Sequence, residues 1–155
     1  MIKVELVHEM AKMPTKAIET DACYDVYAAS ITHYPGYIEY DLGLRVEIPQ
    51  GYKLVIVPRS SIRNYDLTMC NAPAQIDPDY RGSIKVCFKP AAPNFTYFEK
   101  NPSIAPSSEP HLYDVGDRVA QIYLSKIEPL EFVKVDNIDL NTVRGEGGFG
   151  STGTN

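Results

Sequence analysis

Residues 38–48 read Ile38-Glu39-Tyr40-Asp41-Leu42-Gly43-Leu44-Arg45-Val46-Glu47-Ile48. Every even-numbered position is apolar, and Glu39, Asp41, Gly43, Arg45 and Glu47 lie between them. Side chains of an extended chain point alternately to opposite faces, so this stretch predicts a strand with one buried and one wet face. The same rhythm recurs on both sides. IKVELV at the start puts Ile2, Val4 and Leu6 on one side, and SIKVCF from Ser83 points Ile84, Val86 and Phe88 one way. YKLVIV from Tyr52 is almost continuously apolar, which predicts a strand covered on both faces. RVAQIYL from Arg118 and EFVKV from Glu131 complete the set. Tyr34-Pro35-Gly36, Pro49-Gln50-Gly51, Asp77-Pro78-Asp79 and Val115-Gly116-Asp117 supply the turns between them. At most one short helix fits, around Ser61 to Asp66. The expected fold is all-β, an antiparallel sandwich or barrel.

Composition agrees. Ile and Val number 25 against 9 Leu, and 11 Tyr join them, so the bulky apolar residues are strand formers. A length of 155 residues suits one domain. The formal net charge of −5 argues against a nucleic-acid or membrane-surface partner, since either usually shows as a basic face. Lys3, Glu5 and Glu9 interrupt the apolar stretch that a signal peptide needs, and no run approaches the ~20 apolar residues of a bilayer span. Cys23, Cys70 and Cys87 are odd in number and never spaced CxxC, which fits free thiols. The expectation is a soluble, cytoplasmic protein.

From Lys89 to Asp114 the rhythm stops. Five prolines, at 90, 93, 102, 106 and 110, each remove a ladder donor, so this segment reads as a long loop. The expected division is a β domain over 1–143, carrying this loop, and a flexible glycine-rich tail over 144–155.

Three motifs carry chemistry. The tail, RGEGGFGSTGTN, matches GxGxxG at Gly145, Gly147 and Gly150, but only five residues follow Gly150. A dinucleotide site needs a helix there, so that reading is rejected. Two others stay open: a slack terminus, or a loop whose backbone N–H groups and Ser/Thr hydroxyls close on phosphate, with Arg144 as a planar fork and Phe149 as a stacking face. In NAPAQIDPDYRGSIKV (71–86), Asp-Pro-Asp makes a hairpin corner; Asp77 at the strand end is placed to deprotonate a water, and Tyr80 is either a core ring or a ligand wall. In PRSSIRN (58–64), Ser60 or Ser61 reads as a helix N-cap, and the Arg-Ser-Ser run also makes an anion site. No histidine lies in these motifs, so a nucleophilic serine has no base. Five of six arginines (Arg59, Arg63, Arg81, Arg118, Arg144) fall in or beside the motifs. That concentration in an acidic chain points to a polyanion such as a nucleoside triphosphate, with Asp25, Asp77 and Asp79 to hold or water-ligate Mg²⁺.

DACYDVYA (21–28), PRSS (58–61), NAPAQIDPDYRG (71–82), GDRVAQI (116–122) and RGEGGFGSTG (144–153) together resemble the five motifs of the trimeric dUTP diphosphatase (dUTPase) family, in family order. The resemblance implies a jelly-roll-like β fold, a homotrimer with shared sites, and Mg²⁺-dependent hydrolysis of dUTP to dUMP and pyrophosphate. It makes Asp77 the carboxylate that orients the attacking water and Asp25 the motif-one aspartate near the metal, acting through water. Arg59, Ser60 and Ser61 correspond to the triphosphate contacts. Asn71 and the backbone to Ile76 correspond to the uracil reader, Tyr80 to the ring on the deoxyribose, and Gln121 to a residue near the phosphates. Arg118 beside it is equally well structural. Arg144, Phe149, Gly150, Ser151 and Thr152 correspond to the tail that closes over base and γ-phosphate.

Three features depart from the pattern. Cys23 and Ala74 stand where glycine is usual, and alanine at 74 is strained if that position needs a positive φ. The 89–114 loop is longer than usual; it reads as a tolerated surface insertion or as a protein-partner arm. Two alternatives share the fold. A dCTP deaminase resembles this chain but calls for a glutamate at a position matched here by Cys87. A regulatory binding module without activity would not need Asp77, Tyr80, Arg144 and Phe149 together.

Overall fold

The alternation of residues 38–48 becomes one buried stripe carried by two strands. Ile38, Tyr40, Leu42, Leu44, Val46 and Ile48 are all buried. The expected single strand is nonetheless broken, into β4 (Tyr37–Asp41) and β5 (Leu44–Glu47). Gly43 makes the break. Its φ is +63°, and a Cβ there would lie 2.7 Å from the His8 Cβ and 2.8 Å from the Ala11 Cβ. Only a residue without a side chain fits both the backbone and the space. At this joint the chain leaves one sheet and enters another.

The computed structural model describes residues 1–90 and 111–147. The remaining strands are β1 (Lys3–Leu6), β2 (Tyr24–Tyr27), β3 (Ser30–Tyr34), β6 (Tyr52–Val57), β7 (Leu67–Met69), β8 (Ala74–Ile76), β9 (Lys85–Pro90) and β10 (Arg118–Lys126). One four-stranded sheet runs β2-β10-β6-β8, a second runs β3-β4-β9-β7, and β1 pairs with β5. Every pairing is antiparallel. One apolar core lies between the sheets and draws on both four-stranded sheets and β5. Tyr40 meets Phe88 edge-on at 5.5 Å and Tyr113 at 5.9 Å, contacts worth about 0.5–1.5 kcal/mol each beyond burial. β6 lies between β10 and β8 with Leu54, Val55 and Ile56 buried, which accounts for its continuous apolar run. The helix of the described chain is a single 3₁₀ segment, Ser60–Asn64. Among the described residues, no helix is long and apolar enough to cross a membrane.

Several expectations change. β2, β3, β7 and β8 are not read as strands from the sequence: β7 and β8 have only three residues each, and in β2 and β3 aromatic and polar residues blur the alternation. Ile84, Val86 and Phe88 do share the buried face, but 71–86 is not a hairpin. β8 pairs with β6 and β9 with β4 and β7, so residues 77–84 cross from one sheet to the other. Ala74, paired with Ile56, is ordinary strand backbone and needs no glycine. The loop expected from Lys89 starts later, because Lys89 and Pro90 still pair with Thr68 and Leu67; its residues 91–110 lie outside the described chain. Glu131–Val135, expected as a strand, has no partner strand among the described residues, and Phe132 is 90% exposed. Alternation reports that a face needs cover; it does not say that the same chain provides it.

Candidate active site

The pairing register builds the first part of the site. Gln121 in β10 stands opposite Asp25 in β2 and opposite Val57 in β6. Residues opposite each other on antiparallel strands share a face, so Asp25 and Gln121 meet side by side. Arg59 follows two residues after Val57, where the chain leaves the sheet to enter the 3₁₀ turn. All three converge. Arg59 Nε donates to Asp25 Oδ1 at 2.8 Å and its Nη2 to Oδ2 at 3.4 Å. Arg118 Nη1 donates to Oδ2 at 3.1 Å, and Gln121 Nε2 to Oδ1 at 3.0 Å. Arg59 Nη1 turns the other way and donates to Ser61 Oγ at 2.8 Å.

Asp25 is the one polar residue among the described residues that is buried, at 5% exposure. Burial alone would raise its pKa. The hydrogen bonds from Arg59 and Gln121, the Arg59 charge and the Arg118 bond outweigh that and hold the carboxyl below the ordinary carboxylate range. A carboxylate offers about four lone-pair sites, and four N–H groups already occupy them. Asp25 in this arrangement does not fit a direct metal ligand. Among the described residues, no group of three or more His, Cys, Asp or Glu side chains is gathered to hold an ion.

Ser60 and Ser61 do not cap the turn as expected. The N-cap is Arg59, without a side-chain cap bond, and the Ser61 hydroxyl is drawn to the guanidinium instead. Arg59, Ser61, Arg118 and Gln121 thus form one network around Asp25, with Ser60 exposed beside it. The sequence leaves Arg118 between a structural and a site role; its place at the start of the strand that also carries Gln121 is what brings it in.

The second part of the site is the crossing from β8 to β9. Tyr80 N–H donates to the Asp77 carbonyl at 3.1 Å, closing a turn. Arg81 Nη1 locks it by donating to the carbonyls of Pro78 (2.6 Å) and Tyr80 (2.9 Å). Gln50 Nε2 holds Asp79 at 3.1 Å, a contact without any sequence signal. The Tyr80 hydroxyl donates to the Ser83 carbonyl at 3.1 Å. Asp77 and Tyr80 are exposed on this turn, while Ile76 is half-buried at the end of β8. Asn71 is engaged: its Oδ1 accepts from Cys87 N–H at 2.9 Å and its Nδ2 donates to the Lys85 carbonyl at 3.3 Å. One lone pair and one N–H remain to it. Burial first, and Glu39 next, push the Cys87 thiol pKa up, so this side chain is a neutral thiol at neutral pH and not a proton-accepting carboxylate.

The two parts do not meet within one chain. Asp25 is level with Val57, whereas Ile76 is level with Leu54, which places Asp77 level with Lys53, four residues away. β2 and β8 are opposite edges of their sheet. Three strand spacings of ~4.8 Å and four residues of ~3.3 Å put Asp25 and Asp77 on the order of 20 Å apart. Arg144 is far along the chain and exposed, its Nε donating to the Gly147 carbonyl at 2.9 Å. Phe149, Gly150, Ser151 and Thr152 lie outside the described residues.

This architecture has solved counterparts. The dUTPase of Staphylococcus bacteriophage 80alpha, solved with dUpNHpp, superposes with a TM-score of 0.76 at 25% identity over 99% of both chains. That protein is described as controlling transfer of virulence genes by a G protein-like mechanism. A point mutant of the dUTPase of phage phi11 of S. aureus, described as coordinating a structural Mg(II) ion, gives 0.68 at 25% identity over 90% of this chain and 99% of that one. The fold is therefore the jelly roll of these β-rich nucleotide enzymes. The dUTPase family model matches residues 9–106. The deoxyuridine 5'-triphosphate nucleotidohydrolase of Anaplasma marginale is 36% identical over 99% of this chain and 100% of its own length. That of Yarrowia lipolytica is 38% identical over 99% of this chain and 90% of its own. The chain belongs to the dUTPase family.

Proposed function

We propose that Asp77 orients and deprotonates the water that attacks the α-phosphorus of dUTP, at a site completed by neighbouring copies of the chain in a homotrimer. Family membership makes the protein a dUTP diphosphatase, which hydrolyses dUTP to dUMP. The observation that carries the mechanistic reading is the locked turn from Asp77 to Ser83, which presents an exposed carboxylate and the Tyr80 ring together. In-line attack needs no covalent intermediate. One carboxylate on the water and fixed N–H donors on the phosphates suffice. Arg59, Ser60, Ser61 and Gln121 supply those donors, and Asp25 holds Arg59, Arg118 and Gln121 in place. Arg144, Phe149, Gly150, Ser151 and Thr152 close over base and γ-phosphate, which excludes water and strengthens the phosphate contacts.

Mg²⁺ enters this reading with the substrate, as the metal complex of the triphosphate. Mg²⁺ would keep several waters and be held through substrate phosphates; Asp25, its lone pairs already taken by Arg59, Arg118 and Gln121, would hold those donors in place and not a metal-bound water. Base choice follows from the backbone between Asn71 and Ile76. Cytosine exchanges donor and acceptor there and leaves backbone groups unpaired, at about 1–3 kcal/mol each. Thymine adds one methyl, worth ~1–3 kcal/mol in a soft pocket, so rejecting it requires a stiff wall. The Tyr80 ring flat against the sugar leaves no room for a 2′-hydroxyl.

Two observations support the homotrimer. The two groups of site residues are about 20 Å apart in one chain, too far to grip one nucleotide. The segment after β10 also exposes Leu130, Phe132, Val133, Ile138, Leu140 and Val143 in sequence, an apolar strip far denser than a solvated arm carries. A second copy of the chain is the partner that covers it. A protein partner at the 89–114 loop is a second reading, supported by its length; deleting Pro93–Glu109 leaves trimer, kinetics and pull-down profile unchanged if that reading is wrong.

Pyrophosphate release from dUTP, dTTP, dCTP and UTP in parallel, with and without Mg²⁺, tests the activity. Rapid turnover of dUTP alone, requiring Mg²⁺, is expected; ammonia release from dCTP overturns it. Asp77→Asn is expected to abolish turnover and keep nucleotide binding. Persisting turnover refutes the role of Asp77.

A further inference from the structure

Gly82 carries a constraint that its backbone does not explain. Its φ lies outside the left-handed region, so any residue fits its backbone. The constraint is spatial. A Cβ on Gly82 would lie 2.5 Å from Cζ of Tyr80 and 3.1 Å from Cε2, with Oη closer still. Carbon atoms in contact prefer about 3.5–4.0 Å, so the ring would have to retreat by roughly 1 Å or more. The Tyr80 ring lies on the bare backbone of Gly82.

The surrounding bonds decide what would move. The backbone from Asp77 to Tyr80 is closed by the Tyr80 N–H to Asp77 bond and doubly held by Arg81. Ser83 is tied to the other sheet by its hydroxyl, which donates to Asp41 Oδ1 at 2.5 Å. The ring itself is exposed and has one hydrogen bond, from its hydroxyl to Ser83. A methyl group at position 82 therefore displaces the ring and leaves the turn in place.

We propose that Gly82 is a specificity-positioning residue: the missing side chain seats the Tyr80 ring at the depth where it excludes a 2′-hydroxyl. This rests on the reading of Tyr80 as the wall against the deoxyribose. Gly82 touches no substrate and acts through Tyr80. The hydroxyl–Ser83 bond only steadies a ring whose depth the glycine sets.

The test is the ratio of kcat/KM for dUTP to kcat/KM for UTP in the full chain and in Gly82→Ala, Tyr80→Phe, Tyr80→Ala and the Tyr80→Ala/Gly82→Ala double variant. Affinities for the non-hydrolysable α,β-imido analogues of dUTP and UTP are measured alongside. Gly82→Ala is expected to lower the ratio at least about tenfold, with the melting temperature shifted by only a few degrees. Tyr80→Phe, which keeps the ring, retains the ratio. In the double variant the ratio equals that of Tyr80→Ala, because no ring is left to displace. An unchanged ratio in Gly82→Ala, or a further fall in the double variant, overturns the proposal. So does a double variant that fails to fold, since Gly82 then serves the fold and not the ring. A wild-type chain without dUTP turnover defeats the proposed function instead, and the affinity ratio still decides the role of Gly82.

Discussion

Arg59 and Asp25 form a forked pair across the width of a strand. β10 runs between the strand that ends before Arg59 and the strand that carries Asp25, and Arg59 Nε reaches Oδ1 at 2.8 Å. Arg118 and Gln121 come from β10 itself, so three strands of one sheet are tied at one carboxylate. Removing that carboxylate leaves the largely buried guanidinium of Arg59 without its partner. Asp25→Ala is expected to lower stability by about 3–5 kcal/mol, read as a shifted urea midpoint with an unchanged slope. On the proposed function, binding of the substrate phosphates is expected to weaken with it, because Arg59 and Gln121 lose their anchor.

Acid titration follows from the same residue. The folded-state pKa of Asp25 lies below its unfolded value. Its contribution is fully present above the unfolded value of about 3.9 and is lost as pH falls through the folded value. The stability difference between wild type and Asp25→Asn, from denaturant melts, is expected to be flat from neutral pH to about pH 5 and to narrow below about pH 4. A difference that widened on acidification would contradict the pairing.

Gly43→Ala attacks the joint between β4 and β5. The substitution meets both a φ of +63° and the Cβ atoms of His8, Ala11 and Ala29 at 2.7, 2.8 and 3.0 Å. A non-glycine residue in that conformation costs about 1–3 kcal/mol before the collision is counted. A loss of at least about 2 kcal/mol in a thermal or urea melt is expected.

Complementation tests whether one site draws on two chains. The Asp77→Asn and Arg59→Ala variants are each expected to be nearly inactive. Co-expressed, they mix, and roughly a quarter of sites then receive an intact Asp77 and an intact Arg59 from different chains. Activity near that fraction of wild type supports shared sites. Activity no higher than either parent places both residues in one chain's site.

Phe132→Asp sets a charge in the apolar strip after β10. Sedimentation is expected to show monomer in place of the proposed trimer, with dUTP turnover lost alongside. A variant that stays trimeric removes the strip from the interface.

Sequence alone reaches the buried face more surely than the strand limits. Residues 38–48 name the right six inward side chains, yet the break at Gly43 depends on His8, Ala11 and Ala29, which are distant along the chain. Strands of three or four residues, such as β7 and β8, are too short for periodicity to speak. The turn that carries Asp77 and Tyr80 is legible because turn chemistry is local. The tie of Asp25 to Arg59, Arg118 and Gln121 is not, because register across three strands decides it. The clustering of arginines near the motifs is the one hint. Val133 and Val135 show the opposite limit: they do fall at alternate positions, and no strand of the described chain covers them.

The joint at Gly43 also governs how this chain tolerates changes of length. Leu42 and Leu44 keep the same phase on either side of it, so β4 and β5 feed a common core from two different sheets. A single codon inserted there would turn Leu44, Val46 and Ile48 outward and Arg45 and Glu47 inward. Descendants of this sequence are free to lengthen many of its surface connections, but the crossing at residue 43 is fixed to the residue.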